Sequence, residues 1–186
     1  QPIKGNEQKP VLVFIHGGSF CQGGTKEALN DCRYLAEKYG DVVFVTIEYR
    51  LNLLAQFDFT GLAGWKEEDY PDHGRLCFKD QQMALRWLKA NVAGFGGCPT
   101  NITISGESAG GVAVTYMTAK YNYDENGKPL FQRAIPMSGA VGSNSRADYM
   151  NANHAAVLTE AFRQVNKTYS GFDTIDDFQK ATEQEL

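Results

Sequence analysis

Hydrophobic positions gather into four short runs: Val11–Ile15, Val42–Glu48, Ile102–Ser105 and Ala134–Met137. Each is β-branched or nearly continuous and is flanked by turn residues. Runs of this kind suit strands of a parallel sheet covered on both faces. Between and after them the apolar positions recur at helical spacing. Glu27 to Tyr39 reads as amphipathic, with Leu35, Ala36 and Tyr39 in phase and Gly40 placed to stop a helix. Lys79 to Val92 is the clearest helix, with Ala84, Trp87, Leu88 and Val92 along one face. Ala109 to Lys120 is small and apolar, as a packed central helix should be. Met150 to Val165 and Thr174 to Glu183 predict two more. Strands alternating with helices imply right-handed crossovers and an α/β fold. Two stretches resist this pattern. Residues 52–77 are long, aromatic and irregular, which in a compact domain points to a functional or surface excursion. Residues 121–131 carry N-G and K-P turn signals.

Composition narrows the partners. The chain has 186 residues, enough for one domain, with 42% hydrophobic and 22% charged residues and a net charge of −4. That balance offers no electrostatic reason to expect nucleic acid or an anionic membrane as partner. No apolar run approaches the length of a membrane span. The cysteines Cys21, Cys32, Cys77 and Cys98 form no C-x-x-C pair, and the three histidines lie elsewhere, so no metal centre is expected. Four free thiols are expected rather than two bridges, since the spacing matches no dense secreted framework. N-x-T sequons at Asn101 and Asn166 leave the compartment open.

The chemistry concentrates in two glycine-rich turns. "GESAG" (Gly106–Gly110) lies directly between a predicted strand and a predicted helix. In a G-x-S-x-G turn the glycines permit a sharp, strained reversal, and the serine hydroxyl stands exposed at the positive end of the next helix. Ser108 is therefore the candidate nucleophile. A serine attacking a carbonyl creates an oxyanion, which needs preorganised N–H donors. One is the amide after the nucleophile, here Ala109. The others should come from a loop after an earlier strand. "HGGSF" (His16–Phe20) is the candidate, where the alternative reading is a plain surface turn.

With both halves in view, "PVLVFIHGGSF", "EYRLN", "KDQQMALRWLKANVAGFGGCPTNITISGESAGG" and "FQRAIPMSG" resemble the type-B carboxylesterase family of α/β-hydrolases over about residues 10–140. The resemblance implies an α/β-hydrolase fold and a serine esterase acting on small-molecule carboxylic esters without a cofactor. It implies that the amides of Gly18, Ser19 and Ala109 form the oxyanion hole, with Gly17 beside it. Most members carry Gly or Ala where this chain has Ser19. Glu107 would either lend a negative field near the site or be a turn residue satisfied by hydrogen bonds. Arg50 and Asp80 would form a buried, structural ion pair, and Ser138 would hydrogen-bond the acid of the triad. Members usually carry Asp at the position of Cys98 and a small aliphatic residue near Cys77, so both read as packing or loop substitutions. The family also contains adhesion proteins that keep the fold without the chemistry, which is the alternative function.

The base and acid of a triad should follow in the order Ser…Asp/Glu…His. After Ser108 stands only His154, inside a predicted helix, with Asp148 the only acid between "MSG" and it. That spacing is too short, and His154 reads as a surface or packing residue. His16 reads as structural and His73 as solvated. The expectation is thus a partial α/β-hydrolase domain over residues 1–186, with earlier strands and the triad acid and histidine in the remaining portion of the same enzyme.

Overall fold

The computed structural model of the chain describes residues 8–52 and 75–139, with isolated positions 55, 64, 66 and 68 between them. The chain divides into two compact units, Gln1–Arg50 with Cys77–Val141 and Leu51–Leu76 with Gly142–Leu186. The sheet belongs to the first. The predicted helices 150–165 and 174–183, together with His73, Asp148, His154 and Asn166, lie outside the described residues, as does most of the irregular stretch 52–77.

Four parallel strands form the sheet: β1 (Lys9–Ile15), β2 (Val43–Ile47), β3 (Gly97–Glu107) and β4 (Arg133–Met137), in the order β2-β1-β3-β4. All four predicted strands are present. β3 starts five residues earlier than its apolar run, at Gly97, because its first residues pair with Lys9 across a register shift. Val11, Val13 and Ile15 of β1 are buried, as are Ile102 and Ile104 of β3. Complete burial of one such side chain contributes about 1.5–3 kcal/mol.

The helices depart more from expectation. The stretch Glu27–Tyr39 holds only a 3-10 turn (Ala28–Asn30) and a short α1 (Arg33–Lys38). The Asn30 side chain bonds back to the Gly24 carbonyl, and the Asp31 carboxylate accepts the Arg33 amide, so helix begins only there. Leu35 and Tyr39 are exposed, not packed. The second helix, α2 (Leu76–Asn91), starts three residues before Lys79, and a left-handed Gly96 ends the 3-10 turn that follows it. Its buried face is Cys77, Phe78, Gln81, Leu85 and Leu88, continued by Val92. Trp87 lies off that stripe, 53% exposed, and packs on Phe95 instead. The third helix, α3 (Ala109–Tyr116), gives way to a π-helical turn at Met117–Tyr121, earlier than the predicted end at Lys120. In 121–131, the Asp124 carboxylate accepts the Asn126 and Lys128 amides, and Tyr123 bridges Pro129.

The topology selects one place for a site. The chain passes from β1 to β2 on one side, then crosses to β3 on the other. Ligands of open α/β sheets bind at the carboxyl ends of strands, where strand order reverses. Ile15 pairs with Gly106, so the chain leaves β1 and β3 side by side at that point.

Candidate active site

β3 runs through Glu107, and α3 starts at Ala109, so Ser108 alone makes the reversal. It does so at φ 55°, ψ −119°, a sparsely populated conformation that costs about 1–3 kcal/mol. The turn is locked by backbone. The Ser108 amide donates to the Met137 carbonyl at 2.9 Å, and the Ser108 carbonyl accepts the Val112 amide at 2.9 Å. A Cβ on Gly110 would sit 2.0 Å from the Ile15 carbonyl oxygen, so only glycine lets α3 lie this close to β1. Ser108 is half-buried and its hydroxyl bonds to no described residue.

The second turn begins where β1 ends. A Cβ on Gly17 would lie 2.8 Å from the Glu107 carbonyl and 3.3 Å from the Ser108 Cβ, so the two glycine-rich turns are in contact. Gly18 has φ 102°, and Ser19 and Phe20 follow at 56° and 58°. Two consecutive side-chain-bearing residues in the left-handed region are rare, and strain of this kind gathers at functional sites. The Gly18 carbonyl accepts the amides of Cys21 and Gln22, which curls the turn. The amides of Gly18, Ser19 and Ala109 donate to no described residue. Ser19 is exposed.

Glu107 is exposed, its carboxylate 3.3 Å from the space beside Gly17. Ser138 follows β4 at φ 54°, exposed, with no hydrogen bond to a described residue. Its neighbour Gly139 packs against Gly111 of α3. Arg50 and Asp80 form the expected ion pair, in a two-pronged arrangement at 2.7 and 2.6 Å, with the Arg50 amide added at 3.0 Å. The pair is not buried: the side chains are 44% and 20% exposed. The Asp80 carboxylate raises the Arg50 guanidinium pKa further.

The first turn is supported by His16, expected to be structural, and by aromatic residues to which the sequence assigned no role. The His16 ring stacks on Tyr49 at 4.3 Å, and the Tyr49 hydroxyl donates to the His16 carbonyl at 2.7 Å. Burial raises the Tyr49 hydroxyl pKa, so it stays a donor. Phe20 meets Tyr49 and Phe78 edge-on, and Phe78 stacks on Tyr116. The signal for Tyr49 and Glu48 was their place in "EYR", directly after the strand that neighbours β1.

All four cysteines are unpaired. Burial pushes the Cys77 thiol up to about 12, whereas the Thr100 hydroxyl draws the half-buried Cys98 thiol down. Among the described residues, no cluster of three or more His, Cys, Asp or Glu side chains could hold a metal ion. Nor is any helix among them long and apolar enough to cross a membrane. Of the histidines only His16 is described, and its ring nitrogens lie against the Gly17 carbonyl and the Glu48 carboxylate.

Comparison with known proteins places the chain in a family. The model of the carboxylesterase family matches residues 1–186. Para-nitrobenzyl esterase of Bacillus subtilis (strain 168) is 40% identical over 164 residues, 88% of this chain and 30% of that protein. Carboxylesterase 1C of Mus musculus is 36% identical over 181 residues, 97% of this chain and 30% of that protein. Neuroligin-3 of Mus musculus is 34% identical over 160 residues, 86% of this chain and 18% of that protein. The chain thus spans less than a third of the length of these relatives.

Proposed function

The chain belongs to the carboxylesterase family, and from that premise we propose that it carries the nucleophile-bearing part of a serine carboxylesterase. Ser108 is the nucleophile. Its hydroxyl oxygen attacks the ester carbonyl while its proton passes to a base outside the described residues. The carbonyl oxygen becomes an oxyanion held by the amides of Gly18, Ser19 and Ala109. Collapse expels the alcohol, which takes up the proton, and leaves an acyl group on Ser108. Water then attacks the acyl carbon and gives a proton to the same base, and the same donors hold the second oxyanion. Its collapse breaks the bond to the Ser108 oxygen, which takes the proton back as the carboxylic acid leaves. Removing one such donor costs about 2.7–4 kcal/mol of barrier in comparable sites.

One observation carries this reading: the glycine-rich turn with unengaged amides lies against a strained, half-buried serine at a helix N-terminus. Glu107 borders that space, and Ser138, directly after β4, would hydrogen-bond the triad acid. The substrate class is a small-molecule carboxylic ester, and the mechanism uses no metal or cofactor. The remaining portion of the same enzyme would supply the acid and the histidine.

The experiment is to treat the complete natural protein with a fluorophosphonate and map the adduct by mass spectrometry. Labelling at Ser108, lost in Ser108→Ala together with ester turnover, is expected. Active enzyme that is unlabelled, or labelled elsewhere, overturns the assignment. A second reading keeps the fold without turnover, as an esterase-like binding module, and the likeness to a protein not named as an esterase, neuroligin-3, is its support. It gains if the complete protein hydrolyses no simple ester yet binds a protein partner.

A further inference from the structure

The turn that would hold the oxyanion runs from His16 to Thr25, and one side chain from a neighbouring strand reaches both of its ends. Ile47, the last residue of β2, pairs with Ile15 of β1, so Glu48 emerges beside His16. Glu48 Oε1 accepts the Thr25 backbone amide at 2.8 Å and the Thr25 hydroxyl at 2.6 Å. Its other oxygen, Oε2, lies 3.8 Å from His16 Nε2. We propose that Glu48 is a positioning residue, which clamps the glycine-rich turn by binding its last residue, Thr25, beside the ring of its first. The inference rests on the reading that the Gly18 amide is an oxyanion donor.

The path from Glu48 to that amide is short. His16 is buried, and its Nδ1 lies 2.8 Å from the Gly17 carbonyl oxygen. A carbonyl only accepts, so Nδ1 is the nitrogen that carries the proton. In a trans peptide the C=O and the next N–H point in opposite directions. Holding the Gly17 carbonyl on the His16 side therefore aims the Gly18 N–H away from it. His16 Nε2 is buried and hydrogen-bonded to no described residue, and the Glu48 carboxylate lies 3.8 Å from it without a bond, so the hold of Glu48 on the turn runs through Thr25. The other end of the turn returns to the same ring: a Cβ on Gly23 would lie 2.7 Å from His16 Nδ1. Gly24 passes against the carboxylate, 3.5 Å from Oε1 to the position of a Cβ. Bonds from Thr25 hold the Glu48 carboxyl below the ordinary value, so it is ionised at neutral pH. The Glu48 side chain is 60% exposed, so its place is not explained by packing.

The test compares Glu48→Ala, Glu48→Gln and wild type in the complete natural protein. The readouts are kcat and KM on a nitrophenyl acetate, and amide hydrogen exchange across residues 16–25. Displacing a catalytic group by a fraction of an ångström lowers rate steeply, so Glu48→Ala should reduce kcat by about tenfold with KM within about twofold. Exchange protection of the turn should fall by about tenfold while that of β1 and β3 is kept. Glu48→Gln, which still accepts from Thr25, should recover part of both. Unchanged kcat and exchange in Glu48→Ala overturns the proposal. So does a loss of protection spread equally over β1, β3 and the turn, which marks a merely structural residue. If wild type neither turns over ester nor labels at Ser108, the esterase reading fails by itself. The exchange arm then decides the clamp alone: faster exchange confined to 16–25 upholds it, and unchanged exchange overturns it.

Discussion

The two turns at the head of the sheet carry the same kind of strain and are held in opposite ways. At the end of β3, Ser108 takes a left-handed conformation inside a tight reversal, fixed by backbone meeting backbone: Ser108 against Met137, Gly110 against Ile15, Gly111 against Met137. At the end of β1, Ser19 and Phe20 also have positive φ, inside a long excursion where side chains do much of the holding: Glu48 on Thr25, His16 on Tyr49, Phe20 among Tyr49 and Phe78. A backbone lock admits no substitution at its contact points. A side-chain lock can be loosened by degrees. The difference suits their proposed tasks, since the attacking atom needs one fixed position, whereas the amides around an acyl group set what fits.

The largest test of this contrast is Gly110→Ala. The added Cβ meets the Ile15 carbonyl at 2.0 Å with only backbone to move, and about 3 kcal/mol or more of stability should be lost. A loss of unfolding free energy in urea of less than a third of that would mean that α3 can slide and that the lock is soft. Next comes Phe20→Ala. It removes two edge-on ring contacts from the side-chain lock, a loss of about 1–2 kcal/mol in the same measurement, with exchange faster in 16–25 and unchanged in 106–112. Equal changes in both turns would erase the distinction. Ser19→Gly should matter less: relief of left-handed strain and the extra freedom of glycine nearly offset, to within about 1 kcal/mol. Esterase activity should persist with a shifted acyl-size preference, and equal preference for short and long acyl esters would make Ser19 a passive occupant.

The smallest effect is acid sensitivity. The Thr25 hydroxyl, first among several causes, holds the Glu48 carboxyl below its ordinary 4.5. A depressed carboxyl contributes stability that is complete above the unfolded value and is lost as pH falls through the folded one. Exchange protection of residues 16–25 should therefore weaken below about pH 4, while the backbone-held 106–112 turn keeps its own. Parallel weakening of the two would show that acid acts on the sheet and not on Glu48.

Much of this was legible in the chain. The four strands announced themselves because a strand buried on both faces must be apolar almost throughout. "GESAG" and "HGGSF" were legible because glycine marks the places where a Cβ cannot fit. The helix at Glu27–Tyr39 misled because periodicity records only which residues could share a face. Asn30 and Asp31 bind local backbone and delay the helix, and Leu35 and Tyr39 end up exposed. Trp87 misled for a related reason: one position of phase, about 100° on a helix, separates it from the buried stripe of Gln81, Leu85 and Leu88. The buried setting expected for Arg50 and Asp80 failed because residue types specify a pairing, not the depth at which it lies.

By itself, then, the sequence determined the parallel α/β sheet, the two glycine-rich turns and the serine between strand and helix. These follow from local rules of burial, period and backbone freedom. Tertiary structure alone decided that the two turns touch, that His16 stacks on Tyr49, and that Glu48 reaches back to Thr25. Those facts depend on the order and register of β2, β1 and β3, which bring together residues distant along the chain.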